Sequence, residues 1–206
     1  MGNSVSPKHR RGKILEDAIL SNAWEELNQL GYIRLTMEGI AARAKTSKAA
    51  LYRRWPSKAL LVSAAIRECG PPFPQNIPNL GSLREDMIFL LKNLTNYFYV
   101  IGAETIHGLI TDNISRILDG TFGNGTEEGA AIITQILEQA KKRGEISQSK
   151  YSPRILYLPF AMLQHEMITK PVSTEDFAIE LVDQIFLPII FAHNRKKVAH
   201  TQMHDI

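Results

Sequence analysis

Thr36-Met-Glu-Gly-Ile-Ala-Ala-Arg-Ala-Lys-Thr-Ser-Lys-Ala-Ala-Leu-Tyr-Arg-Arg-Trp-Pro-Ser-Lys58 is the stretch around which the chain is organised. Behind Thr36, small and apolar residues recur at helical spacing: Met37, Ile40, Ala41 and Ala44. The Thr36 hydroxyl is placed to accept from an orphan amide of that first turn. Lys45-Thr46-Ser47 breaks the pattern, and Ser47 caps a second helix running from Lys48 to Trp55. This helix stops before Pro56, because the residue preceding a proline is pushed out of the α region. Ser57 then caps a third helix that begins with Lys58. Helices of about eight residues are too short to persist alone. Ala41, Ala44 and Leu51 must therefore hold the first two against each other at close range.

The second helix has two unlike faces. Lys48, Tyr52, Arg53 and Arg54 crowd its outer surface, while Leu51 and Trp55, four apart, face inward. A short helix with a basic and aromatic outer face, held by a small-residue contact to the helix before it, suits a DNA major groove. Arginine and lysine neutralise phosphates and donate to guanine edges; tyrosine offers a hydroxyl and a ring. The competing reading is an amphipathic helix whose charges only keep it solvated.

The pattern Gly31-Tyr32-x-x-Leu35-Thr36-Met37-x-x-Ile40-Ala41-x-x-Ala44-x-x-Ser47-Lys48-x-x-Leu51-Tyr52-x-x-Trp55-x-Ser57-Lys58 resembles the TetR family of bacterial transcriptional regulators, over roughly residues 12–70. The resemblance implies a homodimeric repressor on a palindromic operator of double-stranded DNA, released by a small-molecule effector. It places Lys48, Tyr52 and Arg53 near base edges, with Ala49 beside them, and Thr36, Arg54, Trp55 and Lys58 on the backbone. Trp55 also fits a core position. The family often has Gly-Val where this chain has Lys45-Thr46. That turn calls for a left-handed residue, a conformation that costs lysine about 1 kcal/mol and glycine nothing.

The chain has 206 residues, 44% of them hydrophobic, and a formal net charge of +3. Its distribution is more telling than its sum. Residues 1–70 carry 12 Lys/Arg against 6 Asp/Glu, and the remainder 12 against 15, so the positive potential lies with the helix-turn-helix. The single cysteine, Cys69, excludes an internal disulfide, and no Cys-x-x-Cys pair suggests zinc. No apolar run approaches the ~18–20 residues of a membrane span, and the N-terminus lacks the apolar core of a signal peptide. A soluble, cytoplasmic protein with no membrane partner is expected.

Residues 1–10 read as a disordered polar tail, with Lys8, Arg10, Arg11 and Lys13 forming a basic arm that suits DNA phosphate as well as solvent. A first helix follows from Lys13 to Leu30, its inner face marked by Ile19, Ala23, Leu27 and Leu30, and stopped by Gly31. A helix from Lys58 to Cys69 presents Leu61, Val62, Ala65 and Ile66 inward. Gly70 to Gly81 holds four prolines and reads as an extended connection. It divides a DNA-binding domain, 12–70, from an effector-binding and dimerisation domain, 71–206.

Beyond it lie further helices: Ser82–Ile101, opened by a Ser82-x-x-Glu85 capping box; Ala103–Leu118; Thr126–Arg143, stopped by Gly144; Ser152–Thr169; and Ser173–His193, ahead of a polar tail. The fold class is all-α: a three-helix DNA-binding domain joined to a larger helical bundle. The Gly81-Ser-Leu-Arg-Glu-Asp opening and the Arg143-Gly144-Glu145 turn resemble one C-terminal subgroup of the family, in which the last two helices pair with their symmetry mates. Leu156, Phe160, Leu163 and Met167 on one, with Phe177, Leu181, Ile185 and Ile189 on the other, are more apolar than one buried face needs and read as a dimer surface. Phe98, His107, Phe122, Tyr157, Gln164 and His165 are the candidates for lining a pocket for a hydrophobic or amphipathic effector.

Catalytic chemistry finds little support. Glu104-x-x-His107 is half of a di-iron carboxylate motif whose other half is missing, and neither a phosphate loop nor a nucleophile elbow occurs. No cofactor is expected. An activator or a regulator without an effector is the rival reading, and a helical-bundle enzyme the remote one.

Overall fold

The computed structural model describes residues 7–113, 124–169 and 175–202. Its elements are α1 (Pro7–Arg34), α2 (Met37–Arg43), α3 (Lys48–Arg54), α4 (Lys58–Cys69), α5 (Leu83–Ile101), α6 (Ala103–Asp112), α7 (Asn124–Lys142), α8 (Pro153–Thr169), α9 (Glu175–Glu180), a π-helical segment (Leu181–Phe186) and α10 (Leu187–Gln202). The fold is all-α, with no strand among the described residues. No helix among them is long and apolar enough to cross a membrane.

These elements form two compact units. The first combines the N-terminal region up to Pro72 with the chain from Phe98 through α6; the second combines Phe73–Tyr97 with α7 to α10. The first crossing falls inside the proline-rich connection. The return of α6 to the N-terminal helices was not foreseen, because its apolar residues do not reveal their partner.

In the first unit α1 packs on α2, α4 and α6, and α2 packs on α3. Ile19, Ala23 and Leu27 of α1 are buried with Leu61, Val62, Ala65 and Ile66 of α4, as their spacing predicts. Leu30 departs from that stripe and is 40% exposed, beside the break in α1 at Gly31 (φ 77°, ψ 167°). Tyr32, just past the break, closes that end instead and is buried. At its N-terminus α1 extends to Pro7, so the arm's backbone is helical from there onward, in place of a disordered tail. Proline suits a first helical turn, where its missing N–H would have had no partner.

The second unit is pinned by two polar clusters. The Arg143 guanidinium reaches Asp86 at 2.9 Å and Glu145 at 2.6 Å, and also bonds Asn79. Asp86 is fully buried, and its other oxygen accepts from the Leu80 amide at 2.7 Å. Glu145 accepts from the Leu83 amide at 2.8 Å and Ser82 from the Glu85 amide at 3.1 Å, so both cap the first turn of α5. The two motifs flagged from sequence at Gly81–Asp86 and Arg143–Glu145 thus meet in one network. Across the unit, the Asn194 carbonyl accepts from the Ser147 and Gln148 amides and the Ser147 hydroxyl, fastening the turn before α8 to α10.

α7 and α8 pack closely, and a Cβ on Gly129 would stand 2.6 Å from the Phe160 ring. The final helical rod differs from expectation in two ways. It runs on to Gln202 where a polar tail was expected after His193, and it is π-helical between Leu181 and Phe186. The Leu187 amide bonds the Val182 carbonyl, five residues back. Pro188 follows at once, and a proline ring collides with the carbonyl four residues earlier in an α-helix; the wider π turn relieves that clash.

Candidate nucleic-acid interface

α2 and α3 are framed by side-chain caps. The Gly39 amide donates to the Thr36 hydroxyl at 3.1 Å, the Ala50 amide to the Ser47 hydroxyl at 3.2 Å, and the Leu60 amide to the Ser57 hydroxyl at 3.3 Å. Each cap is worth about 1 kcal/mol. Glu26 of α1, a buried carboxylate, also lies against the start of α2: a Cβ on Gly39 would stand 3.2 Å from both its Oε2 and the Thr36 hydroxyl. A carboxylate is favoured there by the free amides of the helix N-terminus.

Between the two helices the chain makes a left-handed turn. The Thr46 amide bonds the Ala41 carbonyl at 2.9 Å and the Lys45 amide the Ala42 carbonyl at 3.1 Å, a Schellman motif. Its left-handed position is Lys45, with φ 51°, the only non-glycine residue with positive φ among the described residues. The expectation drawn from the Lys45 departure holds, and the lysine takes up the strained conformation.

α3 is fixed by its inner face. Leu51 is fully buried and Trp55, which ends the helix, is 8% exposed. Each such side chain contributes about 1.5–3 kcal/mol of burial. Trp55 is therefore a core residue and not a backbone contact; the sequence allowed both. The outer face carries exposed Lys48, Ala49, Tyr52 and Arg53 and half-buried Arg54. Thr36 and Lys13 are also exposed. Lys48 sits 5.6 Å from the Tyr52 ring centroid and forms an ion pair with Glu38 of α2. That hydrogen bond holds the Glu38 carboxyl below its ordinary range and the Lys48 ammonium above its own.

Lys58 stands apart from the other basic residues. Its ammonium donates to the Tyr32 carbonyl at 3.1 Å and lies 4.1 Å over the Tyr32 ring. The expected phosphate grip is thus replaced, in the free chain, by an internal bond that ties the start of α4 to the end of α1. The Tyr32 hydroxyl donates to Asp112 of α6 at 2.7 Å, and burial together with this bond pushes its pKa well above the usual phenol range. The Ile33 amide donates to Glu104 at 2.9 Å. A Cβ on Gly108 would stand 2.1 Å from the Tyr32 ring, so only glycine lets α6 seat there. Sequence reasoning missed this cluster, since Glu104 and Asp112 were weighed only as metal or acid–base candidates.

The other candidate residues are dispersed. Phe98 (half-buried) and His107 (exposed) belong to the first unit; half-buried Tyr157 and Gln164 and exposed His165 belong to the second. Phe122 lies outside the described residues. Tyr157 stacks on Phe160 at 6.5 Å between centroids, and burial raises its phenol pKa. Of the expected dimer surface, Phe160, Leu163 and Leu181 are buried within their own unit, whereas Leu156, Met167, Phe177, Ile185 and Ile189 remain half-exposed. On helices apolar nearly all round, spacing alone does not separate the face turned to the core from the face turned away.

Residues 19–65 match the family model described as bacterial regulatory proteins, tetR family. An HTH-type transcriptional regulator of Mycobacterium bovis is 34% identical over 84% of this chain and 86% of its own length. The chain belongs to the TetR family. It is a DNA-binding transcriptional regulator. A second relative, the DNA-binding transcriptional repressor TetR of Mycobacteroides abscessus, is 30% identical over 87% of this chain and 96% of its own. The solved TetR family transcription regulator SCO0332 shares the fold at a TM-score of 0.63 and 22% identity, covering 84% of this chain and 96% of that one. Within the TetR fold, the capped α2–turn–α3 unit described above is the helix-turn-helix.

Proposed function

We propose that this TetR-family protein is a homodimeric repressor that binds a palindromic operator in the cytoplasm and leaves it on binding a small hydrophobic or amphipathic effector. The observation that carries the reading is α3 itself, with Leu51 and Trp55 buried while Lys48, Tyr52 and Arg53 stand exposed on the other side. A helix anchored in this way presents its outer residues to a major groove, and a twofold dimer presents two of them to successive half-sites. The name of the M. abscessus relative, a repressor, favours repression over activation.

DNA reading belongs to residues 12–70, with Lys48, Ala49, Tyr52 and Arg53 toward the bases and Lys13, Thr36 and Arg54 toward phosphates. Lys58 retains two of its three N–H donors beyond the Tyr32 bond for a phosphate. Residues 71–206 supply dimerisation and effector binding, and half-exposed Leu156, Met167, Phe177, Ile185 and Ile189 support a surface between copies. Effector release acts by shifting the population toward a conformer with misplaced recognition helices, at a coupling energy of ~1–3 kcal/mol. The bonds from Tyr32 and Ile33 to α6 offer a path by which such a shift reaches α1 and α4.

Selection of random duplexes by the purified protein, followed by titration of the winner across salt concentrations, tests the reading. The expected result is a palindrome bound by a dimer with a steep salt slope. Uniformly weak binding to all duplexes, in protein free of co-purified ligand, overturns it.

A further inference from the structure

Between Thr36 and Lys58 the chain has six Lys/Arg residues and one acidic residue, Glu38. In a segment built to approach a polyanion, that carboxylate opposes the net field. Its local setting gives it a task. Lys48 is the first residue of α3, where the positive end of the helix dipole disfavours a cation. Helix electrostatics therefore do not explain a lysine there, and an anion must compensate it. Glu38, in the first turn of α2, is that anion in the free protein. Both side chains are 57% exposed, so the pair is weak and exchangeable. The other basic residues of the segment have different arrangements. Arg43 is bonded to Glu25 and Gln29, and Lys58 to Tyr32, while Lys45 and Arg53 are exposed.

We infer that Glu38 is a specificity-determining residue of the DNA interface: it holds the Lys48 ammonium against the Tyr52 ring and competes with phosphate for it, so that Lys48 is released only where a base edge offers a better acceptor. The inference rests on the operator-binding reading above. On an arbitrary duplex the only new acceptors for Lys48 are phosphate oxygens, and Glu38 already supplies an equivalent charge without loss of hydration elsewhere. On the operator a guanine edge offers two directed acceptors, which phosphate does not. Glu38 thus subtracts from non-specific binding more than from specific binding. Its absence from any helix–helix core makes this separable from folding.

The test is E38Q, with K48A and the double variant E38Q/K48A, titrated against the selected operator and a scrambled duplex over a range of salt concentrations. E38Q should bind the scrambled duplex about two- to fivefold more tightly, the scale of an exposed ion pair. Its salt slope on that duplex should steepen by about 0.9, one extra phosphate contact. Operator affinity and slope should stay close to those of the unsubstituted protein, so the specificity ratio falls. In the K48A background the Glu38 substitution should have no such effect. Equal strengthening on both duplexes, or the same gain with Lys48 already removed, overturns the inference and leaves Glu38 as a diffuse negative charge. Failure of the unsubstituted protein to prefer any duplex would instead overturn the operator reading, and this inference with it. Unchanged thermal melting of E38Q confirms that the effect is not one of folding.

Discussion

Two helices of this protein end in the same hydrogen-bond pattern and do opposite things with it. α2 closes with Thr46 bonded to Ala41 and Lys45 to Ala42; α7 closes with Glu145 bonded to Ala140 and Gly144 to Lys141. At α7 the left-handed residue is glycine, φ 82°, which enters that region without steric cost. Its neighbours Arg143 and Glu145 reach across to Asp86 and the start of α5, making the turn a clamp. At α2 the left-handed residue is a lysine, and its side chain is exposed. The turn there joins two short helices and accepts a conformational cost to place a charge at the surface. A backbone motif fixes the path of the chain; the residues at its three positions decide whether it binds inward or outward.

The largest test of this contrast is R143M, which strands the fully buried Asp86 carboxylate. Removing one partner of a buried ion pair costs about 3–5 kcal/mol, so the melting temperature should fall by roughly 6–20 °C. D86L/R143M should recover most of the loss, and a fall as large in the double variant would show that packing, not charge, makes the clamp. G144A comes next. The residue keeps the helix end but pays the left-handed penalty of about 1 kcal/mol, read as a drop of a few degrees in the same melt. K45G should run the other way. It relieves a comparable strain and raises stability by up to about 1 kcal/mol, while binding to any duplex weakens if the Lys45 charge assists the approach to phosphate. A K45G protein no more stable than the original would mean that the turn stores little strain.

Much of the DNA-reading unit was legible because local chemistry specifies it. Thr36, Ser47 and Ser57 are caps with one obvious amide to accept from, and Pro56 leaves α3 a single place to stop. Leu51 and Trp55, four apart on a helix that must bury something, could only face inward. What stayed hidden depends on partners distant in sequence. Tyr32 gives no sign that its hydroxyl will meet Asp112, eighty residues later, nor Gly108 that it makes room for that ring. Lys58 was read as a phosphate ligand because a lysine at a helix start beside a DNA-reading element has that use; only the fold puts the Tyr32 carbonyl within its reach. In the second unit, the apolar residues of α8 to α10 announce burial but not its direction. Phe160 and Leu163 turned inward while Leu156 and Met167 did not, which a helical period alone leaves undetermined.

The π turn before Pro188 changes how the last helical rod should be counted. A π turn takes up more than four residues where an α turn takes 3.6, so everything downstream of Phe186 is out of phase with the α9 pattern. One residue of phase is about 100° around the axis. The faces carried by α9 and by α10 are therefore set at an angle by winding, independently of which side chains occupy them. A sequence comparison that reads α9 and α10 as a single regular helix would assign the α10 residues to the wrong side.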